Sequence, residues 1–173
     1  MPTHIALLRG INVGTAKRVA MADLRELFEG LGYKDVETLL NSGNVVFSGA
    51  KASEEKIEAA FTQRFGFSSR ITLVGGEELE EIVAENPILE IPDPSRFMVA
   101  FLRKAEQREH LLPLSKTVWH PEGFALGKRV AYMWCPEGAL ASRVSEAVGK
   151  SLKDSVTVRN WATVLKLVRT LRA

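Results

Sequence analysis

A chain of 173 residues with 46% apolar and 25% charged side chains has the balance of an ordinary globular protein and room for one large domain or two small ones. Its formal net charge of +2 argues against a nucleic-acid partner held by bulk attraction, although a local basic patch remains compatible with it. Cys135 is the only cysteine, which excludes an intrachain disulfide, and no run of 18 apolar residues offers a membrane helix. The short apolar run Ile5 to Leu8 lacks the basic flank and the length of a signal peptide, so a cytoplasmic protein in a reducing compartment is expected.

His4 to Leu8 is a short apolar strand that ends at Arg9-Gly10. A loop through Gly14 follows. Met21, Leu24, Leu27, Phe28 and Leu31 then recur at helical spacing, and Gly32 ends that helix. Val36 to Leu40 and Asn44 to Phe47 flank Asn41-Ser42-Gly43, a hairpin signal in which Asn and Gly tolerate a left-handed backbone. Ser53 is placed to cap a second helix with Ile57, Ala60, Phe61 and Phe65 on its apolar stripe. Arg70 to Val74 is a fourth strand. The order β-α-β-β-α-β is that of a ferredoxin-like unit.

Glu77 to Glu85 predicts a short connecting helix. Three prolines between Asn86 and Ser95 block regular structure there. The pattern then repeats. Phe97 to Leu102 is an apolar strand ending at Arg103, followed by a helix around Ala105 to Leu112. Gly123 to Leu126 and Arg129 to Trp134 flank the Gly127-Lys128 turn. Leu140 to Val148 predicts a helix and Ser155 to Val158 a strand. A last helix starts near Asn160 and carries Trp161, Val164, Leu165, Val168 and Leu171 on one stripe. The expected fold is α+β: a tandem pair of ferredoxin-like halves with antiparallel sheets and an extra C-terminal helix. The first half spans 1–75, a connecting helix and proline-rich linker spans 76–95, and the second half with its final helix spans 96–173. The first strands of both halves are apolar on consecutive residues, so both faces of each are expected to be covered.

The strand order of such a unit brings the loop after strand 1 and the strand 2–3 turn to one sheet edge. Here that edge receives Arg9, Asn12, Lys17 and Arg18 from the loop and Asn41, Ser42 and Asn44 from the turn. Cations beside amide and hydroxyl groups on a glycine-containing loop suit a phosphate or a carboxylate. Asparagine and glutamine are scarce, five and two residues, and three of the five asparagines fall on this edge. The same residues are also what a solvated loop and a tight hairpin require. The loop is neither a dinucleotide fingerprint nor a Walker A sequence. A second candidate is Arg159-Asn160, where Asn160 reads as a helix N-cap with Thr163 at N3 and Arg159 stands beside the helix start. His4, His110 and His120 lack ligand spacing, so neither a metal nor another cofactor is expected. No catalytic set is complete, and enzyme activity is not assigned.

The segments Ile5-Ala-Leu-Leu-Arg-Gly-Ile-Asn-Val-Gly14, Asn41-Ser-Gly-Asn-Val-Val-Phe47 and Thr157-Val-Arg-Asn-Trp-Ala-Thr-Val-Leu-Lys-Leu167 together resemble a bacterial family catalogued as domain of unknown function 1697. That family continues the first motif with a second glycine where this chain has Thr15. The resemblance implies a small two-part α+β fold and a cytoplasmic bacterial protein, and it carries no activity or catalytic residue with it. Three readings stay open: a small anionic ligand bound at the Arg9 and Asn41 edge, a nucleic-acid or nucleotide-binding module, and a protein-interaction module using a sheet face. Strand 1 lacks aromatics and strand 3 has only Phe47, which weighs against the second. Oligomeric state is not read from the sequence.

Overall fold

A computed structural model describes residues 1–173. Two four-stranded antiparallel sheets form, each with helices. The chain divides into two compact units, one of residues 1–79 with 169–173 and the other of residues 80–168.

In the first unit, β1 (Thr3–Leu8), β2 (Lys34–Leu39), β3 (Asn44–Ser48) and β4 (Ile71–Gly75) pair in the order β2-β3-β1-β4. The helices α1 (Met21–Gly30) and α2 (Glu54–Phe65) connect them. Leu24, Phe28, Ile57 and Phe61 project from these helices onto Ala6, Leu8, Val45 and Phe47 and make one buried core. The predicted punctuation operates. Gly32 takes φ +95° just past α1, and the Ser53 hydroxyl accepts the Lys56 N–H at 3.2 Å to cap α2. After β4 comes α3 (Gly76–Ala84).

In the second unit, β5 (Phe97–Leu102), β6 (Gly123–Leu126), β7 (Val130–Trp134) and β8 (Val156–Asn160) pair as β6-β7-β5-β8, the same order. The first connection differs from expectation. Instead of one α-helix over 105–112, a 3-10 helix runs over Ala105–Leu111 and a single α turn, α4, over Leu112–Ser115. Pro113 has no N–H to bond the carbonyl of residue 109 and is accommodated in the first turn of α4, so the segment breaks there instead of continuing as one helix. The later helices are α5 (Arg143–Leu152) and α6 (Trp161–Leu171). Val144, Val148 and Leu152 pack with Leu111 onto Ala100, Leu102, Ala131 and Met133.

The central strands are buried on both faces, as their consecutive apolar residues require. Ile5, Ala6, Leu7 and Leu8 are all at most 1% exposed, and so are Val99, Ala100, Phe101 and Leu102. In the second unit the face away from α5 includes Phe97 and Tyr132. Trp161 meets the Phe97 ring edge-on with centroids 5.2 Å apart, and the Tyr132 hydroxyl donates to the Ile82 carbonyl of α3 at 2.6 Å. No helix is long and apolar enough to cross a membrane.

Trp161→Ala is expected to cost about 3–5 kcal/mol, because it removes a buried ring from the α6 stripe; an unchanged denaturant midpoint would contradict this. A second expectation concerns pH. Burial, helped by nearby Glu85, pushes the Tyr132 hydroxyl up to about 12. The same hydroxyl titrates near 10 in an unfolded chain, so between these values the unfolded state sheds the proton first and stability falls as pH rises. Tyr132→Phe should therefore be less stable than the parent by ~0.5–1.5 kcal/mol near neutral pH. That gap should narrow above about pH 10. Chemical denaturation across this range checks both, and a gap of constant size rejects the assignment.

Candidate functional site

The edge singled out in the sequence lies where β1 ends, the β2–β3 turn closes and β4 begins. Three connections meet there: residues 9–20, 40–43 and 66–70. The backbone fixes them first. The Leu8 N–H donates to the Gly43 carbonyl at 2.9 Å and the Arg9 N–H to the Arg70 carbonyl at 3.0 Å. The Ser69 hydroxyl donates to the Arg9 carbonyl at 2.8 Å.

Asn12 holds the loop together. Its Nδ2 donates to the Val19 carbonyl at 3.0 Å and to the Asn41 carbonyl at 2.8 Å. Its Oδ1 accepts the Val19 N–H at 2.7 Å. One side chain thus clips the two ends of its own loop together and pins them to the hairpin. Its backbone is left-handed, φ +53°, which asparagine tolerates better than most residues. Arg18 adds a second tie, donating from Nη1 to the carbonyls of Asn12 and Gly14 at 3.3 and 3.2 Å. Asn44 is fully buried and braces the hairpin, donating from Nδ2 to the Leu39 carbonyl at 2.8 Å and to Ser42 Oγ at 3.1 Å.

The turn itself is built differently from the reading of its sequence. The left-handed residues are Leu40 (φ +59°) and Gly43 (φ +91°), not Asn41. Gly43 is dictated twice over: a Cβ there would lie 2.7 Å from Ile11 Cδ1 and 3.0 Å from Leu8 Cβ. Ile11, 3% exposed, fills the space the missing side chain leaves and seals the loop onto the core.

The candidates therefore separate by what they do. Asn12 and Asn44 act as internal braces. Arg9, Lys17, Arg18, Asn41 and Ser42 are exposed on the same edge. Arg70, a strand residue by its sequence, joins them; its position at the start of β4 in this strand order is the signal for it. Arg70 Nη1 stands 4.0 Å from Glu58 Oε1, and Glu58 also accepts the Ile71 N–H at 2.8 Å. Phe47 is buried against Phe28 and Tyr33, with centroids 5.2 and 4.5 Å away, so its ring is not offered for base stacking.

Arg159 and Asn160 belong to the second unit. Asn160 Oδ1 accepts the Thr163 N–H at 2.9 Å, the N-cap read from the sequence. Arg159 lies within β8 opposite Val99 and is 8% exposed. Burial pulls its pKa down to about 10, so it remains protonated at neutral pH, and Nη1 donates to the Val158 carbonyl at 3.0 Å. No group of three or more His, Cys, Asp and Glu side chains is arranged to hold a metal ion.

Asn12→Gly keeps the left-handed backbone while removing three hydrogen bonds, and should cost about 1–2 kcal/mol, since the groups it frees are only partly buried. Chemical denaturation measures this; stability equal to the parent would mean that water replaces the clip.

The fold has a solved counterpart. A conserved bacterial protein from Streptococcus pneumoniae is similar over 98% of both chains, with a TM-score of 0.81 and 25% sequence identity. Among curated proteins, none matches the chain. A family model described as a protein of unknown function, DUF1697, matches residues 1–132, which include the Arg9 loop, the Asn41 hairpin and the start of β4. Spanning well over half of the 173 residues, that match makes this chain a member of the DUF1697 family.

Proposed function

We propose that the protein is a cytoplasmic binding protein whose function resides in its first half, 1–75, where the loop edge takes a phosphate or carboxylate group. The supporting observation is one of sign. The connections 9–20, 40–43 and 66–70 carry Arg9, Lys17, Arg18 and Arg70 and not one of the chain's 21 acidic residues. Like charges crowded on one edge raise its potential well above what a net charge of +2 suggests.

The corresponding edge of the second half makes the contrast. It is closed by the same backbone pattern, with the Leu102 N–H donating to Arg129 O and the Arg103 N–H to Ser155 O at 3.0 and 3.1 Å. There the guanidinium groups hold the loop. Arg129 donates to the carbonyls of Leu102 and Arg103, and Arg108 to that of Gly127. Asp154 also falls in its connections, and Glu106 lies in the first turn of the 3-10 helix that leaves this edge. In the first half, neutral Asn12 makes three of the closing bonds and Arg18 two, and the three connections themselves carry only positive charge, with Glu58 of α2 standing 4.0 Å from Arg70. Exposed Asn41 and Ser42 add polar side chains beside the cations.

The test is a titration with inorganic phosphate followed by melting temperature, with potassium chloride at matched ionic strength as control. The parent should gain stability in a saturable way, as binding to the folded state alone requires. Arg9→Ala combined with Lys17→Ala should retain only the general salting effect of phosphate on any protein. Equal shifts in the two proteins reject the proposal.

A further inference from the structure

Two exposed side chains on this edge are not accounted for by anion binding. Val13 is 68% exposed and Leu40 44% exposed. Their chain neighbours Asn12 and Asn41 are joined by the 2.8 Å hydrogen bond, so the two residues belong to connections that meet at this edge.

Leu40 is also in the wrong conformation for a leucine. A left-handed backbone disfavours an L-residue, and glycine or asparagine would remove most of that cost. Asn41 is one position away and is not left-handed. Strain of this kind collects at functional positions. Cationic Arg9, Lys17 and Arg18 are exposed on the same two connections. Aliphatic anchors within a charged rim are the composition of a protein-binding patch.

We propose that this edge docks an acidic segment of another protein, one whose carboxylates alternate with aliphatic side chains; the inference rests on the anion-binding reading above. The carboxylates meet Arg9, Lys17 and Arg18, and the aliphatic groups cover Val13 and Leu40. The charge steers the encounter and the aliphatic contact selects the partner. A nucleic acid fits less well. The only aromatic residue in the three connections is Phe67, which meets the Phe61 ring edge-on at 5.3 Å within the core, and single strands bind by stacking on exposed rings. An anionic membrane fits less well too, since two short aliphatic side chains anchor a protein weakly in lipid.

The experiment measures binding of a fluorescein-labelled peptide carrying two leucines among glutamates to the intact chain. It is compared with the same peptide carrying serines for leucines, with a mixed-sequence single-stranded DNA, and with phosphatidylglycerol vesicles. The leucine peptide should bind roughly tenfold tighter than the serine peptide, the ratio that one covered aliphatic contact supplies. Val13→Ser and Leu40→Gly should each lose most of that ratio while leaving the phosphate-dependent melting shift intact. Leu40→Gly should at the same time melt higher than the parent, because it relieves the left-handed leucine. Equal affinity for the two peptides, or tighter binding of the DNA or the vesicles, overturns the docking inference and leaves the anion-binding reading standing. Loss of the phosphate shift as well would overturn both.

Discussion

β1 and β5 each have a strand on both edges and apolar side chains on both faces, so no water reaches their backbone. Every N–H and C=O along them must find a protein partner. Within the sheet the ladders provide these. At the strand's C-terminal end the ladder stops, and the connections must complete it. In the first unit Gly43 and Arg70 supply the carbonyls; in the second Arg129 and Ser155 do so. The position of the candidate site follows from this requirement. The loop after β1 has to return close to the hairpin and to the start of β4, because the end of the central strand needs all three.

The two units meet the same requirement with different chemistry, and the difference decides the charge of each edge. Arg108 and Arg129 turn their guanidinium groups onto main-chain carbonyls in the second unit. A cation directed at carbonyls is partly compensated and held close to the backbone. In the first unit the neutral amide of Asn12 makes three of the closing bonds. Gly43 admits Ile11 beneath the turn and completes the seal without a polar group. Of the cations on that edge, Arg18 adds two bonds to loop carbonyls and Arg70 stands beside Glu58, and Arg9, Lys17, Arg18 and Arg70 are all exposed.

Burial of polar groups in the second unit is of another kind. The Tyr132 hydroxyl has its acceptor in Ile82 and the Arg159 guanidinium donates to its own strand, so each is buried with hydrogen bonds rather than bare. Such groups specify a register, since a shift of one residue would carry Arg159 to the opposite face of β8. Their perturbed pKa values come from burial first, and they are features of the fold.

Much of this was legible in the sequence because it is local. Short apolar runs, helical spacing, Gly32, the Ser53 and Asn160 caps and the repeated strand-helix-hairpin pattern all act within a few residues, and they are enough to give two ferredoxin-like halves. The ferredoxin-like strand order then places Arg9 and Asn41 on one edge. Three things needed the tertiary structure. The chain alone offers Asn12 as a candidate ligand, whereas contacts seven and 29 residues away make it a brace. Propensity offers Asn41 and Gly43 for the left-handed positions of the turn, whereas the turn takes Gly43, against which Ile11 packs, and Leu40. Arg70 reads as an ordinary strand residue until the pairing of β1 with β4 sets its carbonyl against the Arg9 N–H. The sequence by itself determined which elements form and in what order, because those rest on spacing. Only the tertiary structure decided which polar side chains hold the loops and which face outward, because a hydrogen bond between distant residues leaves no period in the chain.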